Sequence, residues 1–456
     1  MHTDESVNAY LTGNLLAGET YKYDPQDKHG PVLFLLAKPI AQLGGAKNFS
    51  DLTETQLRLT PVLVGSAMIL LFGCAVEIFG FIACLTAALL FAIAPLPVYY
   101  SRYFIHETLF VAATFGLILS GWQTLKNNSL WFAALTGLCA ALLLACKETA
   151  AIHFFALACG AFAAWFTTAR KYFPAPKIIA TSLMVFIATT ILLFTWFGQN
   201  FGALADLFHA IPRVVARAGG EGHAKPFFYY FELLDPLFIL SFLAAAGIYT
   251  AICDTVSGAR KAALPLMIYA VAVALIYSAI PYKTPWLTLN LWLPFTLLCG
   301  LGVSAIVSAF NNKAGRWGAG IVGIFLLATL GAQTQELVFQ KPADEKNLLA
   351  YAHTTPDILN LPAKLEEICR ARKIVQPRIA VVMKDAWPLP WYLRKFSRVG
   401  FWPPGLETGD ADFFITTTDA PTNLTARLEN FRPEFFGVRP NVLLILWTPR
   451  PADKLP

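Results

Sequence analysis

The stretch Arg58–Tyr100 reads RLTPVLVGSAMILLFGCAVEIFGFIACLTAALLFAIAPLPVYY, and after its opening arginine it holds a single charged side chain, Glu77. A bilayer crossing needs about 20 mostly apolar residues, within a range of about 17–25. The run is long enough for two crossings, and Glu77 divides it, so it reads as spans near 58–76 and 79–98 joined at the carboxylate. The pattern continues along the chain, with further spans expected near 107–125, 130–146, 149–168, 178–197, 235–252, 263–281, 286–309 and 318–335, about ten in all. Composition agrees. Of 456 residues 56% are apolar and 14% charged, with mean hydropathy +0.54. Soluble globular chains carry about 25% charge, which excludes an ordinary soluble enzyme, and so much apolar surface excludes a disordered chain. A net charge of +6 is too small to argue for nucleic acid as a partner. The expected class is a multi-span α-helical membrane protein.

Cys74, Cys84, Cys139, Cys146, Cys159, Cys253, Cys299 and Cys369 include no CxxC pair, and seven of the eight lie in or beside apolar runs. They read as small apolar packing residues, without a disulfide framework or zinc knuckle.

Charge assigns the sides. One set of alternating connections holds Lys126, Arg170, Lys171, Lys177, Arg260, Lys261, Lys313 and Arg316 against Glu77 and Asp254, eight basic residues to two acidic. The positive-inside rule makes this face cytoplasmic. The opposite, extracytoplasmic face then carries residues 1–57, the Tyr99–Glu107 loop, Cys146–Thr149, the 198–234 loop, Pro281–Pro285 and the tail. Both termini fall outside, yet no apolar segment precedes Met1, so an upstream helix is expected to be missing from the given start. The alternative is unaided passage of a short N-terminal tail. Within 1–57, Pro31–Leu43 (PVLFLLAKPIAQL) is too short to cross and is expected to lie at the interface or against the bundle.

Three domains follow: 1–57, a first outer loop with an acidic motif and an interfacial helix; 58–340, the membrane bundle; and 341–456, a soluble extracytoplasmic domain. In the last, Ile379–Met383, Phe413–Thr417 and Val442–Trp447 read as buried strands. Ala363–Lys373 reads as a helix with Glu366, Glu367, Arg370 and Lys373 on its wet side. The alternation indicates a small α/β domain.

Charge at the edge of an apolar bundle is costly, about 2.5–3.5 kcal/mol per residue at a span centre, and tends to mark function. Here it gathers on the outer face. His2-Thr3-Asp4-Glu5 offers two carboxylates for a general base or a divalent cation, or is a solvated terminus. His29, in Tyr23-Asp24-Pro25…His29-Gly30-Pro31, contacts a phosphate or caps a turn. Arg58 opens the first span. In YYSRYFIHETLF (Tyr99–Phe110), Glu107 caps a helix or binds an acceptor or cation, and Arg102 pairs with a carboxylate or grips a phosphate. Lys147 and Glu148, in a minimal connection, neutralise each other or serve a ligand. Lys283, in Tyr282-Lys283-Thr284-Pro285-Trp286, lacks a local partner and is better explained by an anionic ligand. Together these suit a lipid whose tail lies in the bilayer and whose phosphate sits at its edge: the cations hold the phosphate as a leaving group, and a carboxylate deprotonates the incoming nucleophile.

The motifs HTDESVNAY, YDPQDKHGPVL, RLTPVLVG, YYSRYFIHETLF, ACKETA, PYKTPWL, YAHTTPDI, WPLPWYLRKF and VRPNVLLILW, in this order, resemble those of GT-C glycosyltransferases. That superfamily holds the dolichyl-phosphate-mannose protein mannosyltransferases and the bacterial aminoarabinose lipid A transferases. The likeness is greater still to the prokaryotic members described as flippase-activity-associated proteins. The resemblance implies a GT-C-like fold and a sugar donor carried on a polyprenyl phosphate, with transfer on the extracytoplasmic face of the cytoplasmic membrane. It places the acidic motif on Asp4 and Glu5. The His/Lys-Pro-Pro-Leu element falls on His29–Leu33, with Gly30 replacing the first proline, and the Arg-then-acidic pair on Arg102 and Glu107. The family's membrane helix before the acidic loop is not in this sequence.

The expected reaction is an inverting transfer to a lipid, glycan or protein acceptor. Asp4 is the base, supported by Glu5. Arg58, Arg102, Lys147 and Lys283 bind the donor phosphate. His29, Tyr99, Tyr100, His106, Glu107, Glu148 and Trp286 line the substrate site, and Asp4, Glu5 and Glu107 are the candidates for a divalent cation. The 198–234 loop, with Gly219, Gly220, Gly222, His209 and His223, is expected as a mobile cover. The rival reading is a lipid-linked-sugar flippase or its partner. Transporters often show paired inverted halves and polar groups near the midplane; this sequence shows neither. A third reading is a non-catalytic scaffold left by truncation.

Overall fold

Long apolar stretches without internal charge can satisfy their backbone in a bilayer only as helices, and helices occupy every expected span. The computed structural model describes residues 1–26, 29–167, 174–220, 222–234, 238–257, 262–418, 422–440 and 442–450. Arg170, Lys171, Arg260 and Lys261 of the basic connections lie outside these. Helix α1 is Thr3–Leu16 and α2 is Val32–Leu43. The apolar series runs α3 Glu54–Cys74, α4 Val76–Phe79, α5 Phe81–Ile93, α6 Pro95–Tyr100, α7 Glu107–Asn127, α8 Leu130–Leu144, α9 Ala150–Thr167 and α10 Pro176–Phe194. After α11 Ala203–Ala218 and α12 Tyr229–Leu234 come α13 Ile239–Ser257, α14 Ala263–Ala279, α15 Thr288–Ala309 and α16 Lys313–Thr334. Among the described residues, five helices are long and apolar enough to cross a membrane, those beginning at Glu54, Glu107, Pro176, Pro285 and Lys313. The other five expected positions hold apolar helices of 13 to 19 residues.

Two expectations change. The span at 79–98 is two helices, because Pro95 cannot donate back into the turn before it and Ala94 is extended between them. The 198–234 loop holds two helices, α11 and α12, and its Ala224 bridges to Tyr282 in the turn after α14.

The chain divides into two compact units: Thr20–Ile40 with Arg58–Pro342, and Met1–Glu19 with Ala41–Leu57 and Ala343–Pro456. The 1–57 stretch is thus shared between them. The helical unit behaves as a membrane bundle should. Only 17% of the apolar window in α16 is buried, leaving Trp317, Ile321, Val322, Ile324 and Phe325 exposed. Such apolar surface is untenable in water and ordinary in lipid. Inside the bundle, small residues bring backbones together. A Cβ on Gly247 of α13 would sit 1.9 Å from the Leu298 carbonyl oxygen, one on Gly302 of α15 2.1 Å from that of Leu243, and one on Gly300 2.2 Å from that of Ala83 in α5. On α9, His153 is fully buried and joins the Tyr269 and Tyr277 hydroxyls of α14 at 2.8 and 3.2 Å.

The second unit carries a five-stranded mixed sheet in the order β2-β1-β3-β5-β4, where β1 is Arg378–Val382, β2 Arg398–Trp402, β3 Phe413–Thr417, β4 Phe431–Arg439 and β5 Val442–Pro449. The first three are parallel; β5 runs antiparallel to β3 and β4. Ala380, Val382, Phe414, Leu424 and Leu428 form its core under Trp402 and Trp447. Helix α17, Asn360–Arg372, buries Leu361, Leu365 and Cys369 and leaves Glu366, Glu367 and Arg370 wet. The three strands read as buried are present. The edge strands β2 and β4 alternate with wet positions and gave no apolar run.

If α13 and α15 meet backbone to backbone, Gly247→Val and Gly302→Val each force the helices apart and cost about 1–3 kcal/mol. Their thermal unfolding midpoints in detergent should fall, while Gly318→Val and Gly323→Val, where an added Cβ meets nothing within 4 Å, should not. Equal midpoints in both sets would contradict this packing.

Candidate active site

Short connections at one end of the helical unit hold most of the charged residues singled out by sequence. Glu107 starts α7 and Lys147 lies in the turn between α8 and α9; their side chains are 3% and 9% exposed and form an ion pair at 2.5 Å. Burial pulls the Lys147 ammonium down and Glu107 pushes it up; the second prevails, so the lysine stays charged. Glu148 faces elsewhere. Its Oε1 accepts from the Tyr23 hydroxyl at 2.7 Å and its Oε2 meets His29 Nδ1 at 3.0 Å. Burial alone would raise this carboxyl; the His29 imidazole and the Tyr23 hydroxyl outweigh that and hold it at about 2. Lys147 and Glu148 therefore do not neutralise each other, because neighbouring residues in a tight turn point apart and each finds a partner from another helix connection.

The two pairs adjoin. The His29 and His106 rings stand edge to face at 5.4 Å, and His106 Nε2 meets the Gly30 carbonyl oxygen at 3.1 Å. Gly30 has a reason to depart from proline: a Cβ there would lie 2.1 Å from the Ala145 carbonyl oxygen, which also accepts from the Val32 amide. The backbone of the His29 turn thus rests directly on the end of α8.

The remaining cations are placed differently. Arg102 donates to the Val338 carbonyl at 2.9 Å and lies over the Phe339 ring at 4.4 Å. Burial and the nearby Arg58 charge both push it below the usual guanidinium value. Lys283 is 1% exposed, and its Nζ donates to the carbonyls of Ile280 and Lys225; burial lowers its pKa. Among the described residues neither Arg102 nor Lys283 is paired with a carboxylate. Aromatic side chains gather on the same connections. Tyr99, Tyr100 and Trp286 are buried, Tyr103 lies 6.3 Å from Trp286, and the Tyr99 hydroxyl donates to the Pro342 carbonyl at 2.6 Å.

In the other unit, His2 caps α1: its Nδ1 accepts from the Asp4 amide at 3.1 Å, and its own amide donates to Glu5 Oε2 at 3.0 Å. Glu5 is fully buried in this capping box and Asp4 is half-exposed. The two carboxylates are not equivalent. Among the described residues no three His, Cys, Asp or Glu side chains group to hold a metal ion. Glu5 is engaged in a helix cap and Glu107 in an ion pair. Sequence reasoning also missed Tyr23 as a partner of Glu148, although it had singled out the Tyr23-Asp24-Pro25 turn.

The fold is of the GT-C type. The chain superposes on ArnT from Cupriavidus metallidurans bound to undecaprenyl phosphate with TM-score 0.61 and 14% identity, covering 97% of this chain and 93% of that one. It superposes on the Archaeoglobus fulgidus oligosaccharyltransferase AglB, in complex with an inhibitory peptide and a dolichol-phosphate, with TM-score 0.57 and 12% identity, covering 100% and 71%. The sequence family described as dolichyl-phosphate-mannose-protein mannosyltransferase matches residues 28–196, less than half of the chain. No curated protein sequence matches it.

Removing one member of a buried ion pair strands the other, at about 3–5 kcal/mol. Lys147→Ala should lower the unfolding midpoint sharply, and Lys147→Met combined with Glu107→Gln should recover most of the loss. A Lys147→Ala protein as stable as wild type would show that the pair does not hold these connections together.

Proposed function

We propose that the protein is a membrane glycosyltransferase that moves a sugar from a polyprenyl-phosphate donor to an acceptor on the extracytoplasmic face of the cytoplasmic membrane. One observation carries the reading: Arg102 and Lys283 are cations held on backbone carbonyls, in a bundle where Glu107 and Glu148 are each already matched. Lys283 is a buried ammonium and Arg102 an exposed guanidinium; a buried ammonium without a carboxylate is expensive, and a dianionic phosphate is a counter-charge that fits both groups at once. Arg58 lies close enough to depress Arg102. The same cations stabilise the phosphate as it leaves the anomeric carbon. The undecaprenyl phosphate and dolichol-phosphate bound by the ArnT and AglB structures support this donor class.

Asp4 is assigned the general base, on the resemblance and on its half-exposed position beside the capped, committed Glu5. It takes the proton of the acceptor nucleophile as that atom attacks the anomeric carbon opposite the phosphate, inverting it. Tyr99, Tyr100 and Trp286 offer apolar faces to sugar or lipid. Lys147 acts through Glu107 as a structural cation rather than as a phosphate ligand.

Binding of undecaprenyl phosphate to the purified chain tests the phosphate site. Arg102→Ala and Lys283→Ala should each weaken it about tenfold, or about 1.4 kcal/mol, and unchanged affinity in both would overturn the reading. Asp4→Asn should bind like wild type yet fail to restore the missing glycoconjugate to a deletion strain, read by mass spectrometry of glycolipids, surface polymers and glycoproteins. Full restoration would remove Asp4 from the mechanism.

A further inference from the structure

Helix α11 is built inside out for a helix in water. Its 16 residues include Asp206, His209, Arg213 and Arg217, too many polar groups for a helix that crosses a bilayer. Ala203 and Ala210 form its buried line. Asp206, Arg213 and Arg217 flank that line and are half-buried. The Arg217 guanidinium donates to the Gln26 carbonyl at 2.9 Å, and Asp206 lies close enough to act electrostatically on Tyr23. On the opposite flank, spaced to share one face, stand Phe208, Ile211 and Val215, which are 70%, 62% and 68% exposed. The helix thus turns charge toward the protein and large apolar side chains away from it.

What covers this row follows from what it continues. Only 22% of the apolar window of α10 is buried. From that lipid-facing helix, exposed apolar side chains run on through Ile191, Leu192, Phe197 and Phe201 into α11. The exposures also match those of Val322 and Phe325 on α16, 61% and 74%. A groove for one isoprenoid would enclose its lining on several sides, whereas this row is as open as the surface of a span. An amphipathic helix too polar to cross lies in the interface, with its apolar face among the acyl chains.

The end of α11 packs on the Lys283 turn. Gly220 is buried, and a Cβ on it would meet the Cβ of Ala224 at 3.4 Å and that of Pro281 at 3.6 Å. Beyond it the Lys225 amide donates to the Pro281 carbonyl at 3.1 Å, and the Lys283 amide to the His223 carbonyl at 3.0 Å. The Lys225 carbonyl accepts from Lys283 Nζ at 3.3 Å. We propose that α11 lies along the bilayer surface with Phe208, Ile211 and Val215 among the acyl chains of the leaflet bordering the Lys283 turn, and that this contact holds the His223–Lys225 segment on which Lys283 rests. The lipid contact does not depend on what Lys283 binds, and its test needs no donor.

The test uses the full chain in phosphatidylcholine–phosphatidylglycerol nanodiscs, with the exposed Cys74 and Cys253 changed to serine and that parent chain as background. Nitroxides are attached after Phe208→Cys or Val215→Cys, and on the far flank after His209→Cys or Ala216→Cys. Oxygen concentrates in lipid and a nickel chelate in water. The labels at 208 and 215 should collide with oxygen and exclude nickel, as a label after Phe325→Cys on α16 does, while those at 209 and 216 admit nickel. Nickel reaching all four alike would overturn the proposal. So would exclusion of both reagents at 208 and 215, which marks a protein cover, or exclusion of nickel only once undecaprenyl phosphate is added, which marks the donor's own chain. The hold on Lys283 is read by hydrogen exchange. Phe208→Ser combined with Val215→Ser should speed exchange of the Lys225 and Lys283 amides about tenfold and leave α15 as in wild type. Unchanged exchange at those two amides, or equal acceleration in α15, would overturn the coupling.

Discussion

The helical unit is governed by the cost of a charge away from water. Its helices supply no solvent for ions, so every carboxylate and ammonium in the outer connections must be answered by another group. Glu107 is answered by Lys147, and Glu148 by His29 and Tyr23. Those contacts tie the start of α7, the α8–α9 turn and the chain leading into α2 into one network. Among the described residues, Arg102 and Lys283 are answered by carbonyl dipoles and, for Arg102, an aromatic face. Matched acids and bases held on carbonyls thus stand side by side in these connections.

Much of the fold was legible because the membrane signal is one of length and composition. Ten apolar runs became ten helical positions, and three of the sheet's five strands were continuous apolar segments. What was hidden follows a physical pattern. The break at Ala94 depended on whether Pro95 opens a new helix or merely follows one. Strands β2 and β4 lie at the edges of the sheet, where most of their side chains are exposed or only partly buried and no apolar run forms.

The site was legible as a list and illegible as a set of pairs. Lys147 and Glu148 looked like partners because they are adjacent, yet their partners lie 40 and 119 residues away in sequence. Spacing cannot show which way a turn aims its side chains. The same holds for Asp4 and Glu5, equal in sequence and divided by a helix cap into one buried acceptor and one half-exposed acid. Gly30 is the reverse case. It is the residue where the sequence departs from its apparent pattern, and the Ala145 carbonyl occupies the space a side chain would need.

The glycine contacts of α15 reach further than stability. With Gly302 and Gly247 interlocked against α13 and Gly300 seated on α5, no layer of side chains remains between these helices to act as a bearing. They can turn only as a single stator. The Pro285–Leu287 turn that leads into α15 inherits that rigidity and presents Trp286 and the neighbouring Lys283 from a fixed frame. Any rearrangement around that turn must then be taken up by looser parts of the bundle, which separates the unit into a part that holds and a part that yields.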